Sequence, residues 1–274
     1  MLLPVSLSAA QNLPCLRDAA PPVIDGQIDK SWDKATEVSV TDKIEKTTIY
    51  IKSICSKDQI YFLVRYKDKT ENRHHKRFIW DKNLEMYKHG PTKEDSFIFK
   101  WPISQSVDDF SLKATSPYIA DIWYWKAFRT DPKGYADDKR HIYSDTKLAK
   151  ARSIILGKKI FYLSRPGDEG QSSYKSLIPT EKTNQEIDSY AHRSPTLSRA
   201  DVKAKGVHKD GMWTIEFSRA LNTGHFDDIK FERKNSYKFG VSLNEIAGAK
   251  PDPNSQNPNY GAGEVSDTIN LIID

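Results

Sequence analysis

The chain has 274 residues, 38% of them hydrophobic and 29% charged, and its 42 basic and 37 acidic side chains leave a net charge of +5. The length accommodates one all-β domain with extended loops, and the modest apolar content implies a small core wrapped in polar connections. The charges are interspersed, and so weak and mixed a balance gives no ground for nucleic acid as a partner; Arg73-His-His-Lys-Arg77 is a local basic patch that reads as a solvated loop.

In chain order, Met1 to Gln11 resembles the end of a secretory apolar region, with Ser8 and Ala10 at the small-residue positions before a cut but no basic start. The expected organisation is a signal remnant and leader over residues 1–20 and a single domain over 21–274, in an exported, periplasmic protein. No apolar run reaches the length of a spanning helix, so the mature chain is expected to be soluble. Cys15 and Cys55 are the only cysteines; in an oxidising compartment they could pair, and they cannot form the C-x-x-C-H attachment of c-type haem.

Pro21-Pro22 ends an irregular leader, and Asp29-Lys-Ser-Trp32 reads as a capped short helical turn. Thr47 to Ile54 and Gln59 to Tyr66 alternate apolar and polar residues around a polar interval, as a hairpin does. Asn83 to Glu94 reads as a polar loop, followed by an alternating strand from Asp95 to Trp101. A strand from about Ile119 to Phe128 would set Ile122, Tyr124 and Lys126 on one face and Trp123, Trp125 and Ala127 on the other. The first of these faces suits a flat amphipathic ligand or a wet pocket wall, or else an edge strand with a snorkelling Lys126. Residues 129–152 are turn-rich, and residues 164–200 form the longest expected loop, of a length that implies function or a partner surface. Lys209-Asp-Gly signals a hairpin between Val202 to Lys205 and Met212 to Arg219. Tyr237 to Leu243 and Ser266 to Ile273 close the sheet, with a Pro/Asn/Gly loop from Pro251 to Gly263 between them. The fold class is therefore all-β: two antiparallel sheets packed as a sandwich, with long loops and short helices.

Recognisable catalytic motifs are missing: there is no G-x-S-x-G, P-loop, G-x-G-x-x-G or H-E-x-x-H. The pairs Asp108-Asp109, Asp137-Asp138 and Asp227-Asp228 offer oxygen ligands of the kind calcium takes, but none fits an EF-hand loop, and they read better as turn residues.

Asp121-Ile-Trp-Tyr-Trp-Lys-Ala127 and Gly134-Tyr-Ala-Asp-Asp138 resemble the motif of the ethylbenzene dehydrogenase-related haem-binding domain, the family of the haem b γ subunits that serve periplasmic molybdenum enzymes. Glu94 to Pro102 resembles the family's central strand and Ala200 to Trp213 its late hairpin. Pro22 to Trp32 resembles the opening shared with carbohydrate-binding sandwiches of the family 9 type.

The resemblance implies a DOMON-like or family 9-like sandwich holding haem b without a covalent link. The function implied is to relay electrons to or from a redox partner, a molybdenum oxidoreductase or a c-type cytochrome, without catalysis of its own. The γ subunits hold iron with a Met and a Lys; here the hairpin position is Lys203, and the central-strand position is Lys100 where those subunits have Met. Lysine ligates iron only when deprotonated, so a pocket there must lower its pKa. Trp123, Tyr124, Trp125, Lys126 and Ile98 are the candidate pocket walls. His74, His75 and Met86 are alternative ligands by their donor chemistry, haem iron being the only metal expected. The competing reading is a non-catalytic carbohydrate- or small-ligand-binding module that has lost haem, in which Trp123, Tyr124, Trp125 and Trp101 stack on sugar rings.

Overall fold

A computed structural model describes residues 10–42, 44–245 and 266–274 of the chain. The signal-like stretch before residue 10 and the expected loop Pro251 to Gly263 lie outside the described residues. In chain order the strands are β1 (Gln11–Pro14), β2 (Val38–Thr41), β3 (Thr48–Cys55), β4 (Gln59–Lys67), β5 (Phe78–Asp81), β6 (Met86–His89), β7 (Ser96–Pro102), β8 (Tyr118–Lys126) and β9 (Asp137–Ser144). They continue with β10 (Arg152–Leu156), β11 (Lys159–Ser164), β12 (Tyr174–Ser176), β13 (Glu186–Ile187), β14 (Tyr190–His192), β15 (Lys203–Lys209), β16 (Met212–Ala220), β17 (Asn235–Ser242) and β18 (Ile269–Ile273).

Two sheets make the sandwich. One runs β1-β18-β17-β7-β8-β9-β11-β10 and the other β15-β16-β4-β3-β2. Pairing is antiparallel except where β1 runs parallel to β18. The β15–β16 hairpin closes through Asp210 at φ 52° and Gly211 at φ 71°, the left-handed pair that a tight turn between right-twisted strands requires.

Alternation then builds three apolar layers. Between the sheets, Phe97, Phe99 and Trp101 of β7 and Trp123 and Trp125 of β8 meet Phe62 and Val64 of β4 and Ile215 and Phe217 of β16. On the outside of the longer sheet, Ile98, Ile122, Tyr124 and Tyr143 pack under Phe110, Leu112 and Ala114 of the β7–β8 connection. Outside the shorter sheet, Trp32 and Ala35 cover Ile54, Tyr61 and Leu63. Trp32 is positioned by a 3-10 turn, Lys30–Trp32, whose cap Asp29 accepts a hydrogen bond from the Ser31 amide.

Four sequence expectations are corrected. The leader is not irregular throughout, because Gln11–Pro14 pairs with β18. The stretch Asn83 to Glu94 contains β6, which pairs with β5. Residues 129–152 contain β9, a central strand of the longer sheet. Residues 164–200 contain the short strands β12, β13 and β14, which fold the long connection over the outer face of β8 and β9.

Candidate functional site

Strand β8 has the two faces its alternation implies, but both are buried. Trp123 and Trp125, each 0% exposed, lie in the central layer, as does Trp101. No sugar ring can reach these indoles, which removes them as a stacking platform. Their N–H groups are spent internally: Trp123 Nε1 donates to Asp121 Oδ2 at 3.2 Å and Trp125 Nε1 to Asp131 Oδ1 at 2.9 Å.

The other face carries Ile98, Tyr124 and Lys126 beneath the long connection. Lys126 Nζ donates to Asp137 Oδ2 at 2.5 Å and to Tyr174 Oη at 2.9 Å, and sits 4.3 Å from the Tyr124 ring centroid and 4.8 Å from that of Tyr174. Burial pulls Lys126 down from the ordinary lysine range against the opposing pull of Asp137. Burial works to raise Asp137, but Lys126 and Arg199 hold it well below the usual carboxylate range. Burial raises the Tyr124 phenol. Next to them Arg129 pairs with Glu94 and lies between the rings of Tyr174 and Tyr190, at 5.2 and 5.3 Å. Lys139, Arg165 and His141 converge on Glu245. The wet pocket wall expected from the sequence is thus a roofed lattice in which each charge has a partner; it orients and rigidifies the sheet rather than presenting a reactive group.

Lys100 lies on this same outer face, 1% exposed. Its ammonium donates to Tyr118 Oη at 2.9 Å and rests 4.9 Å from the Tyr118 ring centroid. Lys203 is placed elsewhere: on β15 it alternates with the core residues Val202 and Ala204, so it points outward and is exposed, at the end of the other sheet. The two lysines therefore lie on opposite outsides of the sandwich and do not face one another across a single ligand. Of the alternatives, His74 is exposed, 3.7 Å from Asp188, and Met86 is exposed on β6. His75 is largely buried, with Nδ1 3.4 Å from Glu94 Oε1.

The sequence reading passed over a second cluster. Asp137-Asp138 is not a turn but the start of β9, and Asp227-Asp228 is buried in the connection between β16 and β17. Asp121, Asp138 and Asp228 bring a carboxylate oxygen each to within 4.8 Å of the others; Asp201 and Asp228 bring an oxygen each, and His225 a ring nitrogen, equally close together. The signal in the sequence was the doubled aspartates; their convergence depends on the pairing of β8 with β9, which no local pattern shows.

The fold and this outer face define the class: an antiparallel two-sheet sandwich whose longer sheet is roofed by its connecting segments. Within that class the chain belongs to the ethylbenzene dehydrogenase family, whose model matches residues 27–247. Among solved structures it is similar to a carbohydrate-binding module of family 9 from Caldicellulosiruptor kristjanssonii in complex with glucose, at 11% identity and a TM-score of 0.42 over 96% of this chain and 97% of that one. A cellotriose complex of a family 9 module from the same organism is similar at 11% identity and a TM-score of 0.41, over 96% of this chain and 95% of that one. No curated protein matches the chain. Among the described residues, no helix is long and apolar enough to cross a membrane.

Proposed function

We propose that this chain is an exported, non-catalytic electron-transfer subunit that holds haem b without a covalent link and passes single electrons to or from a redox partner, a molybdenum oxidoreductase or a c-type cytochrome. The observation that carries the reading is the family match across residues 27–247, a family associated with haem b and with a subunit of a molybdenum enzyme complex. The Cys15–Cys55 disulfide agrees with an oxidising compartment and leaves no thiol for a thioether link.

The residues fit the group on one side. Lys100 offers a buried amine on the outer face of β7, walled by Ile98 and Ile122, of the donor type that the family resemblance implies for haem iron. Lys203, exposed on the other sheet, is not its counterpart. Phe110 and Leu112 pack on the same outer face as Lys100, so the β7–β8 connection and a flat macrocycle compete for one surface. Bound there, haem would supply a one-electron redox centre; the chain's own part is to exclude water, present the amine and roof the face.

The test is an absorption spectrum of the full chain produced with haem supplied, followed by haem titration. A Soret band that acid–butanone extraction removes, loss of the low-spin signature in Lys100→Ala, and an unaltered spectrum in Lys203→Ala are the expected results. A wild-type chain that stays colourless through the titration refutes the haem reading, and a low-spin spectrum retained by Lys100→Ala refutes this ligand.

A further inference from the structure

The fold treats its buried carboxylates in two ways. Glu216 accepts from the amides of Asp25 and Gly26 and from Trp32 Nε1 at 2.8–3.1 Å. Asp131 accepts from Trp125 Nε1, Arg73 and the Gly206 amide. Asp42 accepts from the amides of Ile44, Glu45 and Leu243, and Asp137 from Lys126, Tyr174 and Arg199. Each of these is an acceptor-only group surrounded by donors, as a buried carboxylate has to be.

Asp138 breaks that pattern. It is 0% exposed, on the inward face of β9 directly opposite Trp123, and neither of its carboxylate oxygens receives a hydrogen bond. One of its carboxylate oxygens lies within 4.8 Å of an oxygen of Asp121 and of one of Asp228. Asp121 is satisfied on one side only: its Oδ2 accepts from Arg219 Nη1 at 2.7 Å, from the Ile229 amide at 3.1 Å and from Trp123 Nε1, while its Oδ1 receives no donor. Asp228 lies 3.9 Å from the same guanidinium. Asp121 and Asp228 thus share one Arg219, and Asp138 lies beside them without a hydrogen-bond donor of its own. The groups around them do not balance the charge: Arg140 is 3.2 Å from a further carboxylate, Asp168, His225 is paired with Asp201 at 2.6 Å, and Asp227 accepts from Ser198. An unpaired carboxylate in such a place costs several kcal/mol unless a proton or a cation joins it.

We propose that Asp121, Asp138 and Asp228 form a binding site for a calcium ion, which ties β8 and β9 to the connection between β16 and β17. The donor set is all oxygen and anionic, which selects a hard cation over zinc or copper. The oxygens lie within 4.8 Å of one another, close enough to share one ion, and calcium's flexible oxygen shell at about 2.3–2.6 Å accommodates such a buried set more readily than the strict octahedron of about 2.0–2.1 Å that magnesium requires. The site is independent of the haem reading: it lies on the inward face of the longer sheet, whereas Lys100 lies on the outward one.

The experiment strips the full chain with a chelator and follows thermal unfolding as calcium chloride or magnesium chloride is added. Calcium is expected to raise the melting temperature by mass action on the folded state, with magnesium needing a higher concentration for the same shift. Asp138→Asn is expected to move the calcium midpoint by more than about tenfold, because affinity follows ligand charge, while melting at the same temperature or higher without calcium. An unchanged melting temperature in the wild type at millimolar calcium overturns the site, as does an unchanged calcium midpoint in Asp138→Asn. If that variant does not fold, Asp228→Asn is read by the same criteria. Terbium luminescence provides a second readout on the wild type: emission sensitised through Trp123, which is bonded to Asp121, should appear and be displaced by calcium, and its absence also refutes the site.

Discussion

At the scale of single residues, the contrast between Lys100 and His75 shows how burial decides chemistry that residue type leaves open. Lys100 is a candidate ligand by its position in the family resemblance and His75 by donor type, yet one ends on a roofed sheet face and the other beside Glu94 and Arg129. Burial first, and then the Arg129 charge, lower the His75 imidazole from 6.5 to about 4. The unfolded chain therefore takes up a proton on this residue as pH falls below about 6.5, and the folded chain does so only near 4. Its contribution to stability is complete above that window and is lost as pH falls through it. Urea unfolding at a series of pH values checks this: His75→Gln should lose less stability than the wild type between about pH 6.5 and 4, and parallel curves for the two proteins would show that His75 is not the group responsible. Gly206 illustrates what a sequence reading cannot assign at this scale. A Cβ there would lie 2.4 Å from Cζ2 of Trp125, so the glycine is required by an indole on the opposite sheet, far away in sequence.

Among the elements, the strands that alternate strictly were readable in place. The hairpins β3–β4 and β15–β16 and strands β7, β8, β17 and β18 appear where the period of two puts them. What failed was the inference from alternation to exposure. A polar face on β8 suggests solvent or ligand, but Lys126 and Tyr124 are covered by Tyr174 and Arg199 from the long connection, whose own strands are too short to leave a pattern. The leader escaped notice for a similar reason: four residues of β1 gain their place only by pairing with β18 at the other end of the chain. That pairing is secured by Cys15–Cys55, which links the edge of one sheet to β3 of the other across a separation of 40 residues. On the chain-entropy account a loop of that size stabilises by about 4 kcal/mol, and a Cys15→Ala/Cys55→Ala variant should lose up to about that much in urea unfolding. A loss near zero would mean that the ladder around Leu16 and Ser53 holds the leader without the crosslink.

For the whole molecule, the three apolar layers share sheets back to back. Strands β7 and β8 line the central layer with one face and the outer layer under Phe110 and Leu112 with the other, and β3 and β4 do the same for the layer under Trp32. Neither outer layer can melt without exposing a sheet whose reverse side is the core, so the division of labour in space is not a division into separately stable parts. This same back-to-back design hid the acidic cluster from the sequence. Asp121 and Asp138 occupy inward positions that alternation assigns to apolar residues, and only the pairing of β8 with β9 and the return of the chain after β16 bring them beside Asp228. It also predicts how the chain unfolds. Tryptophan fluorescence reports chiefly on Trp101, Trp123, Trp125 and Trp213 in the central layer, whereas far-ultraviolet circular dichroism reports on all strands. The two signals should follow one urea transition with a common midpoint and a common slope. A circular dichroism change that precedes the fluorescence change would show that one outer layer, with its roofed face or its leader, comes away while the centre remains folded.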